Sequence, residues 1–126
     1  MELFIMGAMT IIDIATSFST GKFNLTYDFI APEAEWEIVG ESLFSGREQI
    51  IANCEKVCSY FNTVTTNFKV ANILVDGDKV VINGTAEFFK NDQLISFISA
   101  CDFYQFSEQK QLVKITSYCI TRNYLG

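Results

Sequence analysis

Asp102 is the residue whose type and setting point most directly to chemistry. It interrupts an otherwise apolar run made of Phe97, Ile98, Ala100, Cys101, Phe103 and Tyr104. A carboxylate there is costly to bury, and loss of hydration should raise its pKa toward the range useful for a general acid or base. The competing reading is a structural acid hydrogen-bonded to nearby backbone or to Tyr104. Tyr27, Trp36, Tyr104 and Tyr118 combine a flat ring with a polar tip and could orient a flat ligand, or simply serve as core or interface. Asp28, beside Tyr27, could look into a pocket mouth or stand in solvent.

The sequence contains no histidine, which excludes Ser-His and Cys-His nucleophilic triads. Its four cysteines, Cys54, Cys58, Cys101 and Cys119, lie in hydrophobic periodic segments, the expected setting of reduced, packed thiols. Cys54 and Cys58 are one helical turn apart, but no second pair completes a zinc-like set. No metal and no cofactor are expected.

The elements that must position these residues follow from periodicity. Helical spacing of Ile11, Ile12, Ile14, Ala15 and Phe18 predicts a first helix over about Leu3 to Phe18, ending near Gly21. Asn24 can cap a short second helix through Ile30, which Pro32 stops, and Ala34 to Val39 reads as a short strand. Ser45 and Glu48 form a capping-box pattern before a third helix, whose Ile50, Ile51, Cys54, Val57, Cys58 and Phe61 share one face. The remainder reads as four strands: Phe68 to Val75, Val80 to Phe89, Leu94 to Phe106 and Leu112 to Arg122. Turns at Asp76-Gly77-Asp78, Asn91-Asp92 and Glu108-Gln109 join them.

The last two strands have no polar face, so both faces should be covered. Pairing Phe106 with Gln111 puts Ala100, Asp102, Tyr104, Val113, Ile115, Ser117 and Cys119 on one face. Phe97, Cys101, Phe103, Tyr118 and Ile120 then fall on the other. Ile115, Ser117 and Cys119 thereby join Asp102 and Tyr104 as candidate ligand-binding residues. Three helices can cover only one side of this sheet, which predicts a homodimer through the other.

The 126 residues, 49% of them hydrophobic, suffice for one domain over 1–126 and offer no linker or low-complexity stretch. A net charge of -6 with scattered basic residues disfavours nucleic acid as a partner. The apolar start lacks a basic n-region and is broken by Asp13, so neither a signal peptide nor a membrane partner is expected, and the location expected is cytoplasmic.

Four pieces, in order, carry a family resemblance: Phe18 to Phe23, Ala34 to Gly40, Ser45-Gly46, and Cys101-Asp102-Phe103-Tyr104-Gln105-Phe106 followed by Val113 to Tyr118. In these the chain resembles the SnoaL-like branch of the nuclear transport factor 2-like superfamily over nearly its whole length. The resemblance implies a cone-like α+β fold, with three N-terminal helices on a strongly curved, mainly antiparallel sheet enclosing a pocket. It also implies dimerisation through the sheet. Asp102 falls where ketosteroid isomerases keep a protonated aspartate, and near the acid or base of SnoaL-like cyclases. Glu37 falls at the isomerase general-base position, although alternation with Trp36 and Ile38 would turn it to solvent.

The matching is incomplete. The isomerase first-helix tyrosine would fall at Ile14, the Tyr-Asp-His arrangement of scytalone-dehydratase-like members lacks its histidine, and no arginine stands where an epoxide hydrolase needs one. The function expected is binding of a small apolar molecule, with specific function unassigned. The alternative is a proton-transfer enzyme of isomerase, cyclase or dehydratase type using Asp102 as acid or base.

Overall fold

The computed structural model describes residues 9–123. The first helix, α1, runs Ile11–Ser19; the part expected from Leu3 to Ala8 lies outside the described residues. Thr10 and Asp13 form its capping box: the Thr10 hydroxyl accepts from the Asp13 N–H at 3.1 Å, and the Asp13 carboxylate accepts from the Thr10 N–H at 3.0 Å. Its apolar stripe of Ile14, Ala15 and Phe18 is buried.

The expected second helix is a 3-10 segment, Phe23–Phe29, with no side-chain cap, so Asn24 does not act as one. Strand β1, Ile30–Ile38, follows directly and starts four residues earlier than the sequence suggested. Pro32 is tolerated because it falls where the pairing of β1 with the last strand shifts, between Ile30 and Glu35. A short strand that the sequence reading missed, β2 (Ser42–Ser45), pairs antiparallel with β1.

Helix α2, Arg47–Phe61, begins differently from the Ser45/Glu48 expectation. Gly46, at φ +92°, occupies the cap, and the Gln49 side-chain oxygen accepts from the Ser45 N–H at 2.9 Å. The positive φ suits glycine where the chain turns sharply from strand into helix. Ile50 and Cys54 are fully buried, with Ile51, Val57, Cys58 and Phe61 packed around them.

Strands β3 (Thr65–Asp76), β4 (Lys79–Lys90), β5 (Gln93–Phe106) and β6 (Leu112–Asn123) form the expected meander. Asn91 and Asp92 both have positive φ, as a two-residue hairpin turn requires. The strands make one sheet in the order β2-β1-β6-β5-β4-β3, antiparallel except where β1 runs parallel to β6. The fold is α+β, with helical segments on a curled six-stranded sheet. Bulges in the β3–β4, β4–β5 and β5–β6 pairings bend the long strands. Among the described residues no helix is long and apolar enough to cross a membrane.

Candidate functional site

The end of α1 and the inner faces of β1 and β3 to β6 leave a cavity of about 140 Å³. Phe18, Phe23, Trp36, Phe61 and Phe68 supply an aromatic wall, Ile82, Ala86, Ile98 and Ala100 of β4 and β5 an aliphatic one, and Ser19, Thr20, Lys69, Thr85, Asp102 and Ser117 the polar groups. The rings lock one another: Phe18 meets both Phe23 and Trp36 edge-on, with centroids 4.9 Å apart in each pair, and Phe23 stacks on Phe61.

Asp102 lies opposite Ser117 in the β5–β6 pairing, with Tyr104 opposite Ile115 and Ala100 opposite Cys119. This register differs by two residues from the Phe106–Gln111 pairing expected: Phe106 pairs with Leu112, one residue on, and the bulge that leaves Val113 unpaired adds the second. An even shift preserves the faces, so Asp102, Tyr104, Ile115, Ser117 and Cys119 share the inner side as anticipated. Of these, Asp102, Ser117 and Cys119 reach the cavity, as does Trp36. Tyr104 and Ile115 are fully buried behind it.

The other candidates lie elsewhere. Glu37 pairs with Leu43 and Thr116 on the opposite face of β1 from Trp36. Tyr27 stands outside the cavity and donates its hydroxyl to Glu55 at 2.6 Å. Asp28 is almost fully exposed, 4.0 Å from Arg47. Tyr118 projects from the outer face, 52% exposed.

A residue absent from the sequence reading completes the polar part. The Ser19 hydroxyl donates to Asp102 Oδ2 at 2.8 Å and lies 2.6 Å from the Tyr104 hydroxyl. Its signal was its place one turn after buried Ala15, a polar side chain carried on the apolar stripe of α1. On the other side, Trp36 Nε1 donates to Ser117 Oγ at 3.0 Å.

Burial raises the Asp102 pKa, opposed by hydrogen bonds from Ser117, Ser19 and Tyr104, and burial prevails. Burial, reinforced by the Asp102 charge, keeps the Tyr104 phenol protonated well beyond its ordinary range. Cys119 is pushed up to about 11 by burial and then by the charges of Asp102 and Glu41, so its thiol is a poor nucleophile. All four cysteines are unpaired, but the packed setting expected of them holds fully only for Cys54: Cys58 and Cys101 are half-buried and Cys119, near the end of β6, is exposed, only part of its thiol turning into the cavity.

The raised Asp102 pKa has a stability consequence of definite sign. The folded protein holds this proton to higher pH than the unfolded chain does. The associated stabilisation is therefore complete below the unfolded pKa and is lost as pH rises through the folded one. The asparagine variant would not titrate at this position, and any mismatch between its amide and the surrounding hydroxyls is independent of pH. Relative to wild type, Asp102→Asn is thus expected to gain stability between pH 4 and pH 8. Denaturant unfolding at both values checks this, and a relative loss over that interval contradicts it.

With this geometry in view, the comparisons define the class. Residues 13–115 match the family model of the SnoaL-like domain. The chain belongs to this family, within the nuclear transport factor 2-like superfamily. It is similar to an NTF2-like protein of unknown function from Cytophaga hutchinsonii, at 30% identity over 85% of this chain and 93% of that one, with a TM-score of 0.76. Two more distant structures share the fold. A candidate SnoaL-like polyketide cyclase from Jannaschia sp. CCS1 is 15% identical over 86% and 84% of the two chains, TM-score 0.66. An LEH-like epoxide hydrolase of M. tuberculosis is 14% identical over 83% and 75%, TM-score 0.63. No curated protein matches the chain.

Proposed function

We propose that the cavity binds a small, uncharged, largely apolar molecule, with Asp102 as its polar anchor. The observation that carries this reading is a single carboxyl group, hydrogen-bonded by Ser19, in a wall made mostly of aromatic and aliphatic side chains, with Thr20, Thr85, Ser117, Cys119 and Lys69 as its other polar members. Such a pocket gains affinity from apolar contact and orientation from one polar group. Trp36, the sole tryptophan, lines the cavity and reports on occupancy. Cyclohexanone, a neutral probe of suitable size, is expected to change its fluorescence saturably, and no saturable change up to the probe's solubility limit counts against the reading.

A second reading is favoured by the elevated pKa of Asp102: proton transfer to or from the bound molecule, the group acting as acid or base. The cyclase and hydrolase named among the structural neighbours lend it plausibility by fold alone. Its test is deuterium exchange into the α-carbons of cyclohexanone, which the wild-type protein should accelerate and Asp102→Asn should not.

The same reading includes a homodimer through the outer sheet face, where Leu74, Tyr118 and Ile120 are 67%, 52% and 76% exposed. A contact of standard size, about 1,200–2,000 Å² in total, would cover them. Sedimentation at micromolar concentration is expected to give twice the 14.2 kDa chain mass, and a monomer would remove this element. A cytoplasmic location is part of the proposal and is supported by the four unpaired thiols.

A further inference from the structure

We propose that the cavity is a slot for a single ring, so that its ligand is a monocyclic compound bearing one polar substituent, and that Phe68 is the specificity-determining residue that excludes a second, fused ring. The inference deepens the ligand-binding reading and rests on it for the identity of the cavity as the site.

The slot has a floor and a ceiling. The floor is the inner face of β4 and β5, where Gly84 pairs with Ala100 and Ala86 with Ile98. Gly84 has no side chain, and Ala86 and Ala100 have only methyl groups, so the room lies above these three. The ceiling is the end of α1 and the turn after it, Ser19, Thr20 and Gly21.

Ceiling and floor meet at two places. At one end the Ser19 hydroxyl donates to Asp102 Oδ2 at 2.8 Å. At the other, Gly21 rests against two rings: a Cβ on it would lie 3.0 Å from Phe61 and 3.2 Å from Phe68. Phe68 belongs to the floor, because it pairs with Ala86 on the inner face. Its ring is held in place by Phe61, with centroids 5.5 Å apart, and by Phe88 at 6.3 Å.

Ser19 and Gly21 are two residues apart, so at most about 7.6 Å of ceiling backbone separates the two closures. On the floor, Asp102 and Ile98 are four residues apart on β5, about 13 Å along the strand, part of which their own side chains fill. The volume agrees. An apolar cavity of about 150 Å³ accepts one benzene ring, and this one measures about 140 Å³. A ring whose polar substituent meets Asp102 therefore fills the slot as far as Phe68, and a second fused ring would run into the Phe68 side chain.

The test compares cyclohexanone with trans-2-decalone, which adds one fused ring, by titration of Trp36 fluorescence in wild type, Phe68→Ala and Ala100→Leu. Wild type should bind the decalone more weakly than cyclohexanone by about tenfold or more, the penalty for forcing extra volume into a packed site. Phe68→Ala removes the end wall and should bring the two ketones within about threefold of each other. Ala100→Leu fills the slot from the floor and should weaken cyclohexanone binding by about tenfold or more. Decalone binding to wild type as tightly as cyclohexanone, or a preference that Phe68→Ala leaves unchanged, overturns the inference while the binding reading stands. If Phe68→Ala does not fold, Ala100→Leu decides, and undiminished cyclohexanone binding by that variant overturns the inference. Binding of neither ketone to wild type removes the binding reading itself, and this inference with it.

Discussion

Trp36→Ala is expected to destabilise the protein by about 3–5 kcal/mol, the range for removing a large aromatic side chain from a core. Trp36 is 6% exposed and holds together three parts of the molecule. Its ring meets Phe18 of α1 edge-on at 4.9 Å, lies 5.5 Å from Phe44 of β2, and its N–H reaches Ser117 of β6. Alanine would join the vacated volume to the existing cavity, which the surrounding sheet cannot collapse to fill. Trp36→Phe should recover most of the packing and lose roughly 1 kcal/mol for the missing hydrogen bond. Urea unfolding followed by circular dichroism measures both, and a loss below about 1 kcal/mol for the alanine variant would contradict the packing described.

Gly84→Ala is expected to cost about 3 kcal/mol, the upper part of the range for forcing extra volume into a packed site. A Cβ on Gly84 would overlap the backbone oxygen of Lys69 on the neighbouring strand, far inside van der Waals contact. No side-chain rotation relieves a clash with backbone, so the β3–β4 pairing itself must open. Gly84 sits opposite the bulge, where pairing passes from Val70 to Asn72, and this close approach bends the sheet at the cavity wall. A stability change within about 0.5 kcal/mol of zero, the range of an ordinary surface substitution, would show that the strands separate here at little cost.

The long strands and their turns were legible because each signal is local. Long runs rich in apolar and β-branched residues mark β3 to β6, and Asp76-Gly77-Asp78 and Asn91-Asp92 mark hairpin turns through residues that accept positive φ. The inner-face residues of β5 and β6 were readable even though the register was not, since the two-residue shift leaves parity unchanged. Asp102 stood out because a carboxylate among apolar neighbours is expensive wherever the strand lies.

What escaped was set by tertiary contacts. Strand β2 is four residues long and two of them are serines, so it has no periodicity of its own and exists by pairing with β1. The Ser45/Glu48 pattern gave way to Gly46 and Gln49 because the chain leaves β2 in a conformation that glycine favours. Ser19 meets Asp102 across 83 residues of sequence, a pairing that no local pattern encodes. Glu37 matched a family position but not a face: strand alternation turns it away from Trp36 and hence from the cavity.

The central claim is that Asp102 is a desolvated carboxyl on the cavity wall rather than a solvated or fully compensated structural acid, and its own titration tests this most directly. Site-resolved carbon-13 NMR of the wild-type protein should place its midpoint above the ordinary aspartate value of about 3.9. A midpoint at or below that value would mean that the hydroxyls of Ser19, Ser117 and Tyr104 outweigh burial, and would contradict the account.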